Sequence, residues 1–415
     1  MAMNILMQSV VLWLGAYNNR APNRTTLKER IEPMKKNYTL LTLFTGLALS
    51  GVVVAETPAS VTALLKPFVE KHELAGAVAL VAGKNKVLCV EAVGFADIAK
   101  KKVMKTDSMF WIASQSKAMT ATAVMMLVDE DKISLDDPVE KYLPEFLGQM
   151  VVVEKDADHT LLRKPTHPIT VREVLSHMSG LPFQSAIETP TLDGLPLAVA
   201  VRSYAMTPLQ TEPNTYYAYS NAGINTAARI LEVVSGIPYE DFMQQRLFAP
   251  LGMTDTTFWP IQEQVQRIAK SYRPDASKMN LVEIPIDQLI YPLTDRIHRF
   301  PMPAGGLFST AQDTARFCQM LLNGGQLEGR RYLSDAAFKE LTRRQTPQSV
   351  KDSYGFGLAV GGDWFGHGGA FATNMEIRPA KGLVLIWMVQ HAGFPGQGGN
   401  TQNVFRHWAL EHFGN

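Results

Sequence analysis

Ser114-Gln115-Ser116-Lys117 places a serine hydroxyl and a lysine amine three residues apart. Positions i and i+3 lie on one face of a helix, so the amine can reach the hydroxyl. A serine alone is a weak nucleophile, and an adjacent base is the usual remedy. The stretch follows Phe110-Trp111-Ile112-Ala113 and leads into Met119, Ala123, Met126 and Leu127, which share one stripe at helical spacing. That spacing predicts a helix beginning at Ser114 and ending between Asp129 and Lys132. Its N-terminus would carry free N–H groups and partial positive charge, which suits a serine whose attack creates an oxyanion. The same four residues also fit a plain helix start, with Ser114 as the cap and Lys117 solvated in the first turn.

Outward from this stretch, residues 58–72 carry Val61, Leu64, Leu65, Phe68 and Val69 at helical spacing. Two β-rich runs, residues 76–81 and 87–93, flank Gly83-Lys84-Asn85, a hairpin signal. From about Asp136 to Leu322 the prolines Pro165, Pro168, Pro182, Pro190, Pro196, Pro208 and Pro213 punctuate loops and short helices. Within this part, residues 221–234 read as a helix stopped by Gly236, and residues 311–322 as another. After Tyr354, β-like runs return at 356–360, 374–377 and 383–389, and residues 402–413 read as a last helix. Strands cluster at both ends and helices fill the middle. The economical architecture is α+β: one antiparallel sheet built from both termini, with helices on its faces and a helical insertion. On this reading residues 56–415 are a single catalytic domain, with residues 56–135 and 323–415 as its α/β part and residues 136–322 as its mostly helical part.

A chain of 415 residues with 46% apolar and 19% charged content has the composition of an ordinary globular protein. A net charge of +1 gives no electrostatic case for nucleic acid or an anionic membrane. Cys89 and Cys318 lie far apart in sequence and fit two buried free thiols, with a disulfide as the alternative. Met34-Lys35-Lys36, the apolar run from Tyr38 to Val54 and then Val53-Val54-Ala55 have the three zones of a secretory leader. That predicts an exported, periplasmic or secreted protein with a signal peptide at residues 34–55 and a mature start near Glu56. Residues 1–33 are then an upstream extension. The threonines and glycines in the run make it a poor membrane span, so no stable anchor is expected.

Two further segments carry chemistry. In Tyr217-Ala218-Tyr219-Ser220-Asn221, Tyr219 and Asn221 point the same way if the segment is extended. A lysine ammonium nearby would lower the tyrosine pKa and suit it for proton transfer. Asn221 also fits a cap for the helix that follows. In Phe365-Gly366-His367-Gly368-Gly369-Ala370, the glycines let the backbone approach a substrate, and a backbone N–H there can complete an oxyanion hole. Taken alone, His367 also fits a turn.

The order Ser-x-x-Lys, Tyr-x-Asn, His-Gly-Gly resembles the penicillin-recognising serine hydrolases. These include class C β-lactamases, D-Ala-D-Ala carboxypeptidases, D-aminopeptidases and esterases on the β-lactamase fold. Residues 174–182, 250–256 and 304–310 resemble this family too, and the likeness covers roughly residues 58–412. The resemblance implies that Ser114 accepts the acyl group, Lys117 activates it and Tyr219 serves as general base and proton relay. It implies that Asn221 orients Lys117 and binds a substrate carbonyl, and that the N–H groups of Ser114 and Ala370 form the oxyanion hole. His367, with Gly368 and Gly369 beside it, stands where many relatives carry the lysine of Lys-Thr-Gly. That lysine is associated with substrate carboxylates. A histidine is only partly charged near pH 7, which favours neutral esters over β-lactams and keeps D-amino-acid peptides in play. The expected substrate is a small-molecule ester, β-lactam or D-amino-acid peptide. A non-catalytic penicillin- or peptidoglycan-binding sensor on the same scaffold is the alternative from another class. No metal or organic cofactor is implied.

Overall fold

The strand β1 (Gly76–Ala82) is buried along its length, and its alternate residues serve two cores. Val78, Leu80 and Ala82 enter one; Ala77, Ala79 and Val81 enter the other, as the two-residue period of a strand requires. The structure is a computed structural model describing residues 60–414; the expected upstream extension and the expected leader at 34–55 lie outside the described residues. β2 (Val87–Asp97), β3 (Lys102–Val103), β4 (Ala359–Val360), β5 (Phe365–Gly368), β6 (Asn374–Arg378) and β7 (Leu383–Met388) complete the main sheet. Their order is β4-β5-β6-β7-β1-β2-β3, and every neighbouring pair is antiparallel. N-terminal and C-terminal strands meet at the β1–β7 seam, where Val78 pairs with Met388 and Leu80 with Ile386.

Five helices define the layers: α1 (Val61–Glu70), α2 (Ser116–Asp129), α3 (Asn221–Ser235), α4 (Ala311–Leu322) and α5 (Thr401–Phe413). α1 and α5 cover one face of the sheet, with Leu65, Phe405 and Trp408 against Ala79, Leu385 and Trp387. α4 covers the other face, with Phe317, Cys318 and Leu321 in one core with Leu80, Met375 and Ile386. α2 and α3 extend that core. Residues Ser116 to Leu127 of α2 are all buried, so the helix is enclosed on every side rather than along the single stripe its sequence suggested.

An α+β fold with a large antiparallel sheet and flanking helices is therefore what forms. The internal division at residue 322 does not hold, because α4 packs directly on the sheet and belongs to its layers. The two parts are also joined by strand pairing between Met109–Trp111 and Phe308–Thr310. Nor is the insertion only helical. Val151–Lys155 pairs with Thr160–Arg163 as a largely exposed hairpin, and Ser271–Pro274 pairs with Leu281–Ile284 as a second, partly buried one. The run at 356–360 is strand only at Ala359–Val360. The next strand, β5, is the glycine-rich His367 segment itself, held by ladders on both sides that override its low strand propensity. Cys89 and Cys318 are both free thiols.

Gly357 ties this framework to α2. Its φ is +64°, and a Cβ there would sit 2.4 Å from the Lys117 carbonyl oxygen. Gly357→Ala is expected to lower unfolding free energy by about 2–4 kcal/mol, from left-handed strain plus overpacking. Urea unfolding with an unchanged midpoint would contradict this account.

Candidate active site

Ala113–Gln115 form a single 3-10 turn that runs straight into α2. Ala113 has φ +45°, a left-handed conformation that a non-glycine residue holds only when its surroundings impose it. The imposing contacts lie on both sides. Ile112 N–H donates to Leu307 O at 3.0 Å, and Ser116 Oγ donates to Ala113 O at 2.6 Å. Ser114 follows the strained residue and remains partly exposed. No side chain caps this helix start, so the cap role open to Ser114 is not used.

Lys117 is fully buried. Its Nζ lies 3.1 Å from Ser114 Oγ and donates to Asn221 Oδ1 and Ala304 O, each at 2.7 Å. No carboxylate reaches it among the described residues. Burial without a counter-charge pushes its pKa well below the ordinary lysine value. A neutral amine has two N–H bonds and one lone pair. With both N–H groups taken by Asn221 and Ala304, the lone pair is left facing the Ser114 hydroxyl. The Ala304 carbonyl is itself fixed, because Ala304 N–H donates to Asn225 Oδ1 on α3 at 3.0 Å.

Asn221 is the first residue of α3 but does not cap it. Ser220 does, accepting from Gly223 N–H at 3.0 Å, which frees the Asn221 amide for Lys117. Tyr219 packs its ring under the amine, with Nζ 4.7 Å from the ring centroid. Burial pushes the Tyr219 pKa up, against a smaller lowering from Ser114. The expected lowering by a lysine ammonium is thus reversed. Desolvation disfavours the lysine ammonium and the tyrosinate alike, so the phenol keeps its proton.

His367 sits on β5 opposite Met375. Its Nδ1 lies 2.6 Å from Gly368 O, which can only accept, so Nδ1 carries the proton. Nε2 then accepts from the Tyr354 hydroxyl at 2.9 Å, with the Tyr219 hydroxyl more distant at 3.4 Å. Burial pulls the His367 pKa down to about 3. The ring is therefore neutral near pH 7, not partly charged. After Gly368 comes Gly369, where a Cβ would stand 2.5 Å from Ile112 O. Glycine there lets the end of β5 close on the segment that leads to the nucleophile. The N–H groups of Ser114 and Ala370 donate to no protein acceptor among the described residues.

Every predicted site residue therefore falls in one region, around the start of α2, the start of α3 and the end of β5. Sequence reasoning missed three participants. The Ala304 carbonyl was hidden because backbone atoms carry no residue-type signal. Tyr354 was passed over because one tyrosine among twelve has no distinguishing spacing. His177 is the third. It is buried with φ +62°, accepts from Ser220 N–H at 3.2 Å, and packs with its ring tilted against Tyr219 and Tyr354, centroids 4.5 Å and 4.7 Å away. Phe371 meets Trp111 edge to face at 5.3 Å and is core.

A family model described as Beta-lactamase matches residues 61–406. Penicillin-binding protein 4 of Amycolatopsis lactamdurans is 31% identical over 67% of this chain and 71% of its own length. Esterase EstB of Burkholderia gladioli is 27% identical over 69% of this chain and 75% of its own. Among solved structures, EstCE1, described as a hydrolase with promiscuous acyltransferase activity, superposes with a TM-score of 0.68. It covers 84% of this chain and 96% of its own, at 22% identity, and that likeness concerns the fold.

The buried histidines make the fold acid-sensitive. His177 has its pKa well lowered, His367 is near 3, and burial lowers His391 to about 4. Below the unfolded value of about 6.5, the unfolded chain binds more protons at these sites than the folded one. Stability is therefore level above about pH 7 and falls with acid, by about 2 kcal/mol at pH 5 for each of His367 and His391. Urea unfolding from pH 8 to pH 5 reads this directly, and a flat profile contradicts the neutral histidines.

Proposed function

The chain belongs to the beta-lactamase family, and from that premise we propose that it is a serine hydrolase working through an acyl-enzyme on Ser114, with neutral carboxylic esters as its preferred substrates. The observation that carries the substrate reading is the neutral His367. Nδ1–H is committed to Gly368 O and Nε2 accepts from Tyr354, so the position offers no cation for a substrate carboxylate.

The chemistry follows from the resting protonation states. Ser114 Oγ attacks the ester carbonyl as its proton passes to the Lys117 lone pair. The carbonyl oxygen gains charge between the Ser114 and Ala370 N–H groups, which are worth several kcal/mol when positioned in advance. As the acyl C–O bond breaks, the Tyr219 phenol donates its proton to the leaving oxygen. The Lys117 ammonium restores that proton to Tyr219. Water then attacks the acyl-enzyme with the same groups in reverse roles. The likeness to Penicillin-binding protein 4 supports a second reading, acylation by β-lactams or D-amino-acid peptides with slow release.

A panel of p-nitrophenyl esters, nitrocefin and a D-Ala-D-Ala peptide separates the readings. The short esters should be turned over fastest, and Ser114→Ala should abolish that turnover with the fold intact. Lys117→Ala should lose at least about a hundredfold in kcat/KM on these esters, and Tyr219→Phe the same on the corresponding alkyl esters, whose leaving group needs the proton. Faster release of D-alanine than ester hydrolysis favours the second reading, and a stable nitrocefin adduct without turnover favours the sensor role.

The leader at residues 34–55 supports export. Expression from Met34 in a Gram-negative host should yield a mature N-terminus near Glu56, read by N-terminal sequencing. An uncleaved cytoplasmic product contradicts it.

A further inference from the structure

We propose that Tyr354 is a positioning residue that, by occupying Nε2 of His367, keeps the Tyr219 proton available to the leaving group of the ester. The inference rests on the hydrolase reading above and concerns the path of one proton within it.

His367 Nε2 has a single lone pair, because Nδ1 holds the ring's one proton against Gly368 O at 2.6 Å. Two phenols compete for that lone pair. The Tyr354 hydroxyl stands at 2.9 Å and the Tyr219 hydroxyl at 3.4 Å. The shorter contact wins, since hydrogen bonds near 3.5 Å are weak. Tyr354 is held in place for this. It is 2% exposed, packs with Met178, Tyr217 and Ala359, and lies 4.7 Å from the His177 ring. Its N–H donates to Thr346 Oγ1, and its carbonyl accepts from Gln345 N–H at 2.7 Å.

Without the Tyr354 hydroxyl, Nε2 becomes a buried acceptor with no partner, which is costly. The nearest remaining donor is Tyr219. Its O–H then turns to the imidazole and away from the leaving oxygen. A leaving group that departs as a stable anion, such as p-nitrophenolate, needs no proton. An alkoxide does, because it leaves poorly unless the acyl C–O cleavage is matched by proton donation from Tyr219. The consequence is selective for the leaving group, and loss of mere structural support would not be.

The test compares the ethyl and p-nitrophenyl esters of one short acid and reads the ratio of their kcat/KM values. Tyr354→Phe should lower the ethyl-to-aryl ratio at least tenfold. In a His367→Leu background, adding Tyr354→Phe should leave the ratio where His367→Leu put it, because no acceptor remains to divert Tyr219. An equal fall on both esters, an unchanged ratio, or a fall that persists without His367 overturns the proposal. Should Tyr354→Phe fail to fold by circular dichroism, His367→Leu alone decides. A ratio kept within about threefold of wild type supports the capped histidine, whereas a tenfold fall makes His367 itself the proton carrier and overturns it. Turnover that survives Ser114→Ala removes the hydrolase reading and this one together. Ser114-dependent turnover with an unmoved ratio removes only the role of Tyr354.

Discussion

An amine buried without a counter-charge is the constraint around which this molecule is arranged. An ammonium in that position would cost several kcal/mol, so burial holds the Lys117 pKa well below the ordinary lysine value and favours its neutral amine. Its neutrality is useful only if its lone pair has a direction. Three segments distant in sequence supply that direction: the start of α2, the start of α3 and the Ala304 turn. Much of the surrounding packing serves to keep these three in register. Asn225 fixes Ala304, Thr120 donates to Pro303 O at 2.9 Å, and Gly357 presses against the Lys117 carbonyl.

The same desolvation that discharges the lysine acts on every titratable neighbour. His367 and His177 are kept from protonating, and Tyr219, Tyr217 and Tyr354 are kept from ionising. Desolvation therefore favours the uncharged form of each of these groups. On the proposed mechanism charge appears there when a substrate carbonyl is attacked, and N–H groups already fixed near that oxygen would need no reorganisation to receive it. An uncharged resting site also fits an uncharged substrate, which connects the electrostatics to the ester reading.

Much of the architecture could be read from residue spacing. α4 spans residues 311–322 as its pattern predicted, and α3 ends at Gly236, which adopts φ +70°. The hairpin of β1 and β2 was visible in the alternation around Gly83. β5 was not legible as a strand, because its glycines suppress the propensity signal and only the neighbouring ladders hold it extended. Nor was the packing of α4 on the sheet legible, since a helical stripe names a buried face without naming its partner. In the site, Ser114, Lys117, Tyr219, Asn221 and His367 were found by motif. The ionisation states were misjudged, because a lysine near a tyrosine can be read either way until its burial is known.

By itself the sequence determined the α+β class, the order of the main elements and the candidate side chains that the fold brings together. These depend on periodicity and residue type, both local in the chain. Tertiary structure alone decided which groups are charged, which backbone carbonyl holds the lysine and which phenol caps His367. Those outcomes depend on desolvation and on distances of a few ångströms between segments up to 187 residues apart, and no local pattern encodes either.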